Sequence, residues 1–218
     1  MIAALFVEKG GVYYGLDDVD PWPEERDARL YAGPWPVVAH PPCERWGSYW
    51  FGGPLLHKQG KRKELGSDDG CFIAALNAVH AYGGVIEHPG YSRAWKAFEL
   101  GAPPRAGGWV PAERAPGWTC AVEQGHYGHR APKLTWLYFY RLGGGGPPSD
   151  LNWGRSGATA RVSGPHRDGR KKDGGHYHRR MPDKERKATP IPFRDVLLDI
   201  ARSCGQPRSA AVHGEGGK

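Results

Sequence analysis

The chain has 218 residues, of which 24% are charged and 39% are hydrophobic, a composition typical of one compact domain. Its 33 glycines and 20 prolines follow no Gly-x-y period, which excludes collagen and predicts many loops. The formal net charge of +7 comes from residues 155–187, where 11 basic side chains stand against four acidic ones. A near-neutral body that carries one basic segment favours a polyanion as partner.

The sequence shows no sign of membrane insertion or secretion. No apolar run approaches the roughly 20 residues of a membrane span, and residues 1–7 lack the flanks of a signal peptide. The cysteines are spaced too widely for a disulfide framework or a zinc-binding Cys-x-x-Cys pair. They are Cys43, Cys71, Cys120 and Cys204. We therefore expect reduced thiols, no membrane partner and a cytoplasmic location.

Short apolar runs separated by turns predict an α/β fold. The predicted strands are residues 3–7, 36–39, 85–87, 119–123 and 134–140. Helices are predicted for residues 23–31, 67–82 and 190–201. Residues 12–16 are either extended or the start of a helix, and residues 44–66 are predicted to be a mobile or substrate-facing loop. The order strand, helix, strand across residues 36–87 favours a parallel sheet.

Composition also divides the chain into segments. Glycines and prolines at residues 143–148 predict a linker, and the basic stretch beyond it has almost no aliphatic side chains. We expect residues 1–142 plus 188–205 to form the α/β core. Residues 143–187 would be the linker and a nucleic-acid-facing segment, and residues 206–218 a flexible tail.

Cys43 is a candidate nucleophile. It follows a predicted strand and two prolines that fix its backbone, and it precedes Arg45. A thiol near positive charge loses its proton more readily, and the thiolate is the reactive form. The polar neighbours of Cys43 argue against the alternative of a small buried core cysteine.

Glu87 is the second candidate. It ends a predicted apolar strand, so in a parallel sheet its carboxylate would lie at the same edge as Cys43. Apolar surroundings raise the pKa of a carboxyl group, and we expect Glu87 to hold a proton that it can donate. The alternatives are an exposed acid at a strand end and a helix cap.

These residues form part of an ordered set of motifs. Gly10-Gly11 follows the first strand, Pro41-Pro42-Cys43 the second and Glu87-His88-Pro89 the third, and Tyr127-Gly128 precedes Lys133-x-Thr135. The set resembles the motifs of DNA cytosine C5-methyltransferases, and most closely their small phage-borne members. The resemblance implies a minimal Rossmann-like methyltransferase sheet with flanking helices and a basic, loop-rich insertion. It also implies a bacterial or phage-infected cell.

The implied reaction is modification of a cytosine swung out of double-stranded DNA. Cys43 would add to C6, Glu87 would hydrogen-bond or protonate N3, and Lys133 would position the base or its phosphate. C5 would then accept a one-carbon unit, in the family a methyl group from S-adenosylmethionine. The DNA contacts would come from basic side chains, namely Arg45, Arg155, Arg170, Lys171, Lys172, Arg179 and Arg180.

The implied cofactor residues are Phe6, Gly10, Gly11, Asp20 and Pro41. This part of the chain departs from the family, because Glu8 stands where the family has glycine. Asp17 and Asp18 are alternatives to Asp20 as the acid that binds the ribose. The resemblance therefore includes a degenerate cofactor site.

Three alternatives remain open. Histidine pairs with chelating separations permit a metal site, although the zinc deaminase pattern fails because no second cysteine follows Cys43 at the required spacing, and we expect no metal. The chain could instead be a non-catalytic DNA-binding protein that displays aromatic side chains such as Trp46 and Trp50 for stacking. The substrate could also be a free pyrimidine nucleotide.

Overall fold

A computed structural model describes residues 1–157, 160 and 181–204. Its centre is a mixed sheet of seven strands in the order β2-β1-β3-β4-β7-β6-β5. The strands are β1 (Ile2–Leu5), β2 (Val19–Trp22), β3 (Val37–Ala39), β4 (Gly84–Pro89), β5 (Val110–Pro111), β6 (Trp118–Glu123) and β7 (Leu134–Tyr140). β1 to β4 are parallel, whereas β7 is antiparallel to both β4 and β6. The α/β prediction is thus confirmed as a mixed sheet.

Helices cover both faces of this sheet. They are α1 (Gly53–Lys58), α2 (Cys71–Tyr82), α3 (Ala94–Ala97), α4 (Asp183–Lys187) and α5 (Ile191–Arg202). Side chains alternate between the two faces along each strand, so Ala3 and Leu5 pack with α2, whereas Ile2 and Ala4 pack with α5. The fold therefore has three layers, and both faces of the central strands are buried.

Several predicted elements are confirmed with small shifts. The strands predicted at residues 36–39, 119–123 and 134–140 and the two long helices are present. The predicted strand at 85–87 extends through Pro89. The predicted surface helix at 23–31 is instead two short 3-10 helices, Glu24–Arg26 and Ala28–Leu30.

Other elements differ from the sequence prediction. The second strand is Val19–Trp22, and residues 12–15 form turns. Pro21 is tolerated within β2 because β2 is the edge strand of the sheet and a missing N–H there breaks no ladder bond. Part of the predicted loop 44–66 is the helix α1. The beginning of the segment predicted to follow the linker packs on the core, since Leu151 and Trp153 contact the α5-side cluster.

The strand order creates a switch point between β1 and β3. From β1 the chain passes to β2 on one side of the sheet and then returns to β3 on the other. β1 to β4 are parallel and β6 runs in the same direction, so their carboxyl ends share one edge. In open α/β sheets this edge, at the switch point, is where ligands bind. Among the described residues, none of the helices has the length and apolarity needed to cross a lipid bilayer.

Candidate active site

Glu87 lies within β4, and it faces the α5 side of the sheet. Its neighbour β3 ends at Ala39, which is paired with Ile86, so the next residue of the chain, His40, is placed beside Glu87. Nδ1 of His40 is 2.9 Å from Oε2 of Glu87. Glu87 is almost fully buried, with 10% of its side chain exposed. A ligand can therefore reach only a narrow edge of the carboxylate.

His40 is in turn held by Tyr13. The Tyr13 hydroxyl is 2.7 Å from Nε2 of His40, and the two rings are in contact. A carboxylate can only accept hydrogen bonds, so Nδ1–H of His40 must be the donor to Glu87. In the neutral imidazole, Nε2 then accepts from the Tyr13 hydroxyl. Burial raises the pKa of Tyr13 well above its usual value, which keeps the phenol protonated.

Gln124 holds the other oxygen of Glu87. It follows directly on β6, and its Nε2 donates to Glu87 Oε1 at 3.1 Å and to Thr135 Oγ1 at 2.9 Å. In the reverse orientation, the amide oxygen of Gln124 would lie against the carboxylate oxygen, and two acceptors repel each other. The orientation with Nε2 towards Glu87 is therefore the one assigned. Oε1 of Gln124 is buried and has no hydrogen-bond partner in the described part of the chain.

These contacts correct the predicted charge of Glu87. Burial by itself raises the pKa of this carboxyl group, but the hydrogen bond and charge of His40, with a further contribution from Lys133, lower it to about 2. Glu87 is therefore an ionised acceptor at neutral pH. The prediction of a protonated donor was wrong because the surroundings of Glu87 are polar and not apolar.

Cys43 is exposed at the start of the loop after β3. Loss of hydration raises the pKa of its thiol, and the negative charges of Glu87 and Glu44 raise it further, against the opposing charge of Lys133. The prediction that positive charge favours the thiolate was wrong in this state of the protein. Arg45 does not contribute, because its guanidinium turns back and donates to the carbonyl of Trp50.

Lys133 lies at the same site. Its ammonium group donates to the carbonyls of Lys187 and Ala188, at 3.3 Å each. Burial lowers its pKa, while the charges of Glu87 and Cys43 act to raise it. The structure thus brings Cys43, Glu87 and Lys133 close enough to interact electrostatically, as the order of the motifs predicted.

His88 points to the opposite face of the sheet. Its Nδ1 is 2.7 Å from the hydroxyl of Ser92, and its ring stacks on Trp95. Burial lowers the pKa of His88 to about 4, although the backbone of Pro42 and Pro41 acts to raise it. Nε2 of His88 is buried and has no hydrogen-bond partner in the part of the chain that the structure describes.

Four of the five residues predicted to hold a cofactor follow β1 or β3, namely Phe6, Gly10, Gly11 and Pro41. Phe6 is half-buried with a φ of 57°, and Pro41 is buried. Gly10 has a φ of 66°, and a Cβ on Gly11 would lie 2.9 Å from the carbonyl oxygen of Glu8. Glycine is thus required for a tight turn, but residues 6–18 contain no helix whose N-terminus could bind an anionic group.

Asp20 lies inside β2 and not at its carboxyl end. Its carboxylate is already engaged by Arg26 Nη1 at 2.5 Å and by Trp22 Nε1 at 2.8 Å. Across the loops that follow β1 and β2, Lys9 forms a 3.0 Å ion pair with Glu25. The carboxylate of Asp20 is therefore occupied, and that of Asp18, one of its alternatives, is paired with Arg202 at 2.8 Å. Together with the missing helix after β1, this arrangement does not fit S-adenosylmethionine.

Most of the predicted DNA contacts cannot be placed. Arg170, Lys171, Lys172, Arg179 and Arg180 lie outside the described residues. Arg155 is exposed, and together with Arg105 and Glu123 it lines a cavity of about 410 Å³. None of Cys43, Glu87 and Lys133 lines this cavity.

The two tryptophans proposed for base stacking differ. Trp46 is buried, and its indole N–H donates to Asp68, so it belongs to the core and cannot stack on a base. Trp50 is half-buried and lies under the guanidinium of Arg62. Of the two, only Trp50 retains a partly exposed ring beside a cation.

Sequence reasoning missed Tyr13, His40 and Gln124 as members of the site. His40 stood next to the predicted end of a strand, and the register of β3 on β4 would have placed it beside Glu87. Gln124 followed a predicted strand in the same way. Within residues 1–157, 160 and 181–204, no three His, Cys, Asp or Glu side chains come together as a metal site requires.

A scan against models of known protein families finds no match for this chain. A search of curated proteins finds none either. The functional proposal therefore depends on the geometry of the site and on the motifs of the sequence.

Proposed function

We propose that the protein modifies C5 of cytosine in double-stranded DNA through covalent addition of Cys43 to C6. The observation that carries the proposal is the group formed by an exposed cysteine, an ionised carboxylate and a lysine at the edge of the sheet where β3 and β4 end and β7 begins. The seven-stranded sheet is compatible with the Rossmann-like methyltransferase fold that the resemblance implies. The alternatives are a non-catalytic DNA-binding protein and an enzyme for free pyrimidine nucleotides.

The addition step balances with the groups at the site. The S–H bond of Cys43 breaks and a bond between Sγ and C6 forms, while the electron pair of the C5–C6 double bond moves through the ring to N3. N3 takes up the proton that the thiol gave up. Glu87, as an acceptor, then binds the new N3–H, an interaction that exists only after addition. C5 has become the nucleophile.

Positive charge has two sources in this scheme. Lys133 is held at the site by two carbonyl groups and opposes the charge of Glu87 at Cys43. Arg155 and the remaining basic side chains would supply phosphate contacts to the DNA. We therefore propose DNA as the partner because of these basic side chains. The affinity for DNA should weaken as salt is added.

The donor of the one-carbon unit is a separate question. S-adenosylmethionine would supply an electrophilic methyl group to C5, as the resemblance implies. The occupied carboxylate of Asp20 and the missing helix after β1 do not fit this cofactor. We therefore derive no step through it and limit the mechanism to activation of C5.

Release of tritium from DNA that contains [5-³H]cytosine tests the addition step without any donor. Addition at C6 makes C5 basic, so C5 takes a proton from water and loses tritium when the adduct reverses. We expect the wild-type protein to release tritium and Cys43→Ser to fall to background, a loss of at least about 100-fold. Cys71→Ser, which changes a half-buried thiol elsewhere, is the matched control and should retain the activity.

The same assay on duplex DNA and on the free nucleotide separates the alternatives. Exchange on duplex DNA that weakens with salt supports the proposal, whereas faster, salt-independent exchange on the free nucleotide supports the third alternative. Salt-dependent binding to DNA without exchange supports a non-catalytic binding protein. Exchange that survives in Cys43→Ser contradicts the assignment of the nucleophile.

A further inference from the structure

The cavity that Arg105 and Arg155 line lies outside the candidate active site. Its volume of about 410 Å³ falls within the range of roughly 300–1,000 Å³ that is typical of small-molecule sites. Ala121, Val122 and Leu134 line it where β6 and β7 are paired. The cavity therefore combines an apolar wall from the sheet with charged side chains.

The two arginines of this cavity come from loops that pack against each other. Gly107 approaches Trp153 so closely that a Cβ on Gly107 would lie 2.5 Å from the Cβ of Trp153. The second loop is also fixed to β6, because the backbone N–H and the hydroxyl of Ser156 donate to Oε2 of Glu123 at 2.8 and 3.0 Å. The loops that carry the two arginines are thus fixed to each other and to the sheet.

The charged groups of the cavity lack partners within the described residues. Arg105 and Arg155 are exposed, and neither side chain forms an ion pair or a hydrogen bond in that part of the chain. Oε1 of Glu123, which also lines the cavity, likewise accepts no hydrogen bond there. Arg114 differs, since it is paired with Glu99 at 2.9 Å. The cavity therefore offers two guanidinium groups and one carboxylate oxygen to a ligand.

We propose that this cavity is a second ligand site, which binds a nucleoside monophosphate. Two planar guanidinium groups match the oxygens of a dianionic phosphate through paired, charge-assisted hydrogen bonds. Oε1 of Glu123 accepts from a hydroxyl group of the sugar, and the apolar wall packs against the base. A cavity of this volume encloses a single nucleotide and not a length of duplex.

The nucleotide and DNA would share one side chain. In the proposed function Arg155 contacts a phosphate of the DNA, and a guanidinium group that holds the nucleotide cannot hold the DNA at the same time. The nucleotide should therefore weaken the binding of DNA to the wild-type protein. This consequence rests on the proposed function, whereas the binding of the nucleotide itself does not.

Isothermal titration calorimetry of the full chain with guanosine 5′-monophosphate tests the assignment. This nucleotide has neither the pyrimidine ring that Cys43 would attack nor the adenosyl group of S-adenosylmethionine. We expect its affinity to fall by at least about tenfold in Arg105→Gln and in Arg155→Gln. Arg114→Gln changes an arginine outside the cavity, and this matched control should bind the nucleotide as the wild type does.

Modification of arginine side chains by phenylglyoxal is a second measurement, and it needs no variant. A bound phosphate shields the guanidinium groups that hold it. Guanosine 5′-monophosphate should therefore slow the modification of Arg105 and Arg155 several-fold and leave that of Arg114 unchanged. Peptide mass spectrometry measures the three rates separately.

The inference is overturned if the wild-type protein does not bind the nucleotide at millimolar concentration, or if both glutamine variants bind it as tightly as the wild type. Inorganic phosphate that binds as tightly as the nucleotide also contradicts it, because the sugar and the base then contribute nothing. If the two variants weaken only DNA binding, the cavity belongs to the DNA interface and the inference fails. Nucleotide binding without tritium exchange supports this site and rejects the proposed function alone.

Discussion

Two histidine–tyrosine pairs lie on opposite faces of the sheet and share the same 2.7 Å contact. His40 and Tyr13 belong to the α5 side, and His80 and Tyr138 to the α2 side. The Tyr138 hydroxyl donates to the carbonyl of Pro116, so it must accept from Nε2–H of His80. His40 differs at its second nitrogen, because its Nδ1–H donates to the carboxylate of Glu87.

The second partner of each pair accounts for this difference. A backbone carbonyl neither titrates nor moves, so the pair of His80 and Tyr138 only connects α2 to β7. In the other pair, His40 is bonded to the charged carboxylate of Glu87 at the carboxyl edge of β4. An identical side-chain pair is thus structural on one face and part of the candidate active site on the other.

The largest expected effect is on stability in acid. The pKa of Glu87 is about 2 in the folded protein against an ordinary 4.5, so the stabilisation is complete above about pH 5 and is lost as the pH falls towards 2. We expect Glu87→Gln to remove about 2 kcal/mol of the change in the free energy of unfolding between pH 7 and pH 3, out of about 3 kcal/mol for the whole titration. Urea unfolding at pH 7, 5, 4 and 3 measures it.

The control for this prediction is the other histidine–tyrosine pair. Burial lowers the pKa of His80 from 6.5, so its contribution to stability begins to decline as the pH falls through 6.5, above the range of Glu87. His80→Leu should therefore change the curve from about pH 6.5 downward, a range in which Glu87→Gln has no effect until the pH falls below about 5. If the free energy of unfolding depends on pH in the same way below pH 5 in wild type and in Glu87→Gln, Glu87 is not ionised as we state.

Local sequence patterns were sufficient for the central strands. Residues 36–39 and 134–140 are continuous apolar runs, and such runs form strands that are buried on both faces. The strand Val19–Trp22 was missed because Asp20 and Pro21 disfavour a strand, and only its edge position makes it possible. The helix Gly53–Lys58 lacks an apolar period and was missed for that reason.

The position of the site was predictable from the sequence, but the ionisation state of Glu87 was not. The order of the motifs and the parallel sheet brought Cys43, Glu87 and Lys133 to one edge. The direction of a pKa shift depends on which polar atoms touch a group, and Gln124 reaches Glu87 only because β6 and β7 form a hairpin beside β4. No local pattern in the sequence contains that contact.

An intermediate effect is expected when each tyrosine loses its hydroxyl. Tyr13→Phe leaves one nitrogen of His40 without a partner and should cost about 1 kcal/mol. Tyr138→Phe leaves both His80 and the carbonyl of Pro116 without a partner and should cost about 2 kcal/mol. Thermal unfolding at pH 7 measures both costs. Only Tyr13→Phe should alter tritium exchange, and equal exchange losses in the two variants would remove the distinction between the pairs.

The smallest effect concerns the thiol beside the charged pair. Glu87 raises the pKa of Cys43 and Lys133 lowers it, so removing either charge should shift the reactivity in opposite directions. We expect iodoacetamide at pH 7.5 to alkylate Cys43 a few-fold faster in Glu87→Gln and more slowly in Lys133→Met, since only the thiolate reacts. Peptide mass spectrometry separates Cys43 from Cys71, whose rate serves as internal control. Changes of the same sign in both variants would show that access to the sulfur, and not the charge of Glu87, governs its reactivity.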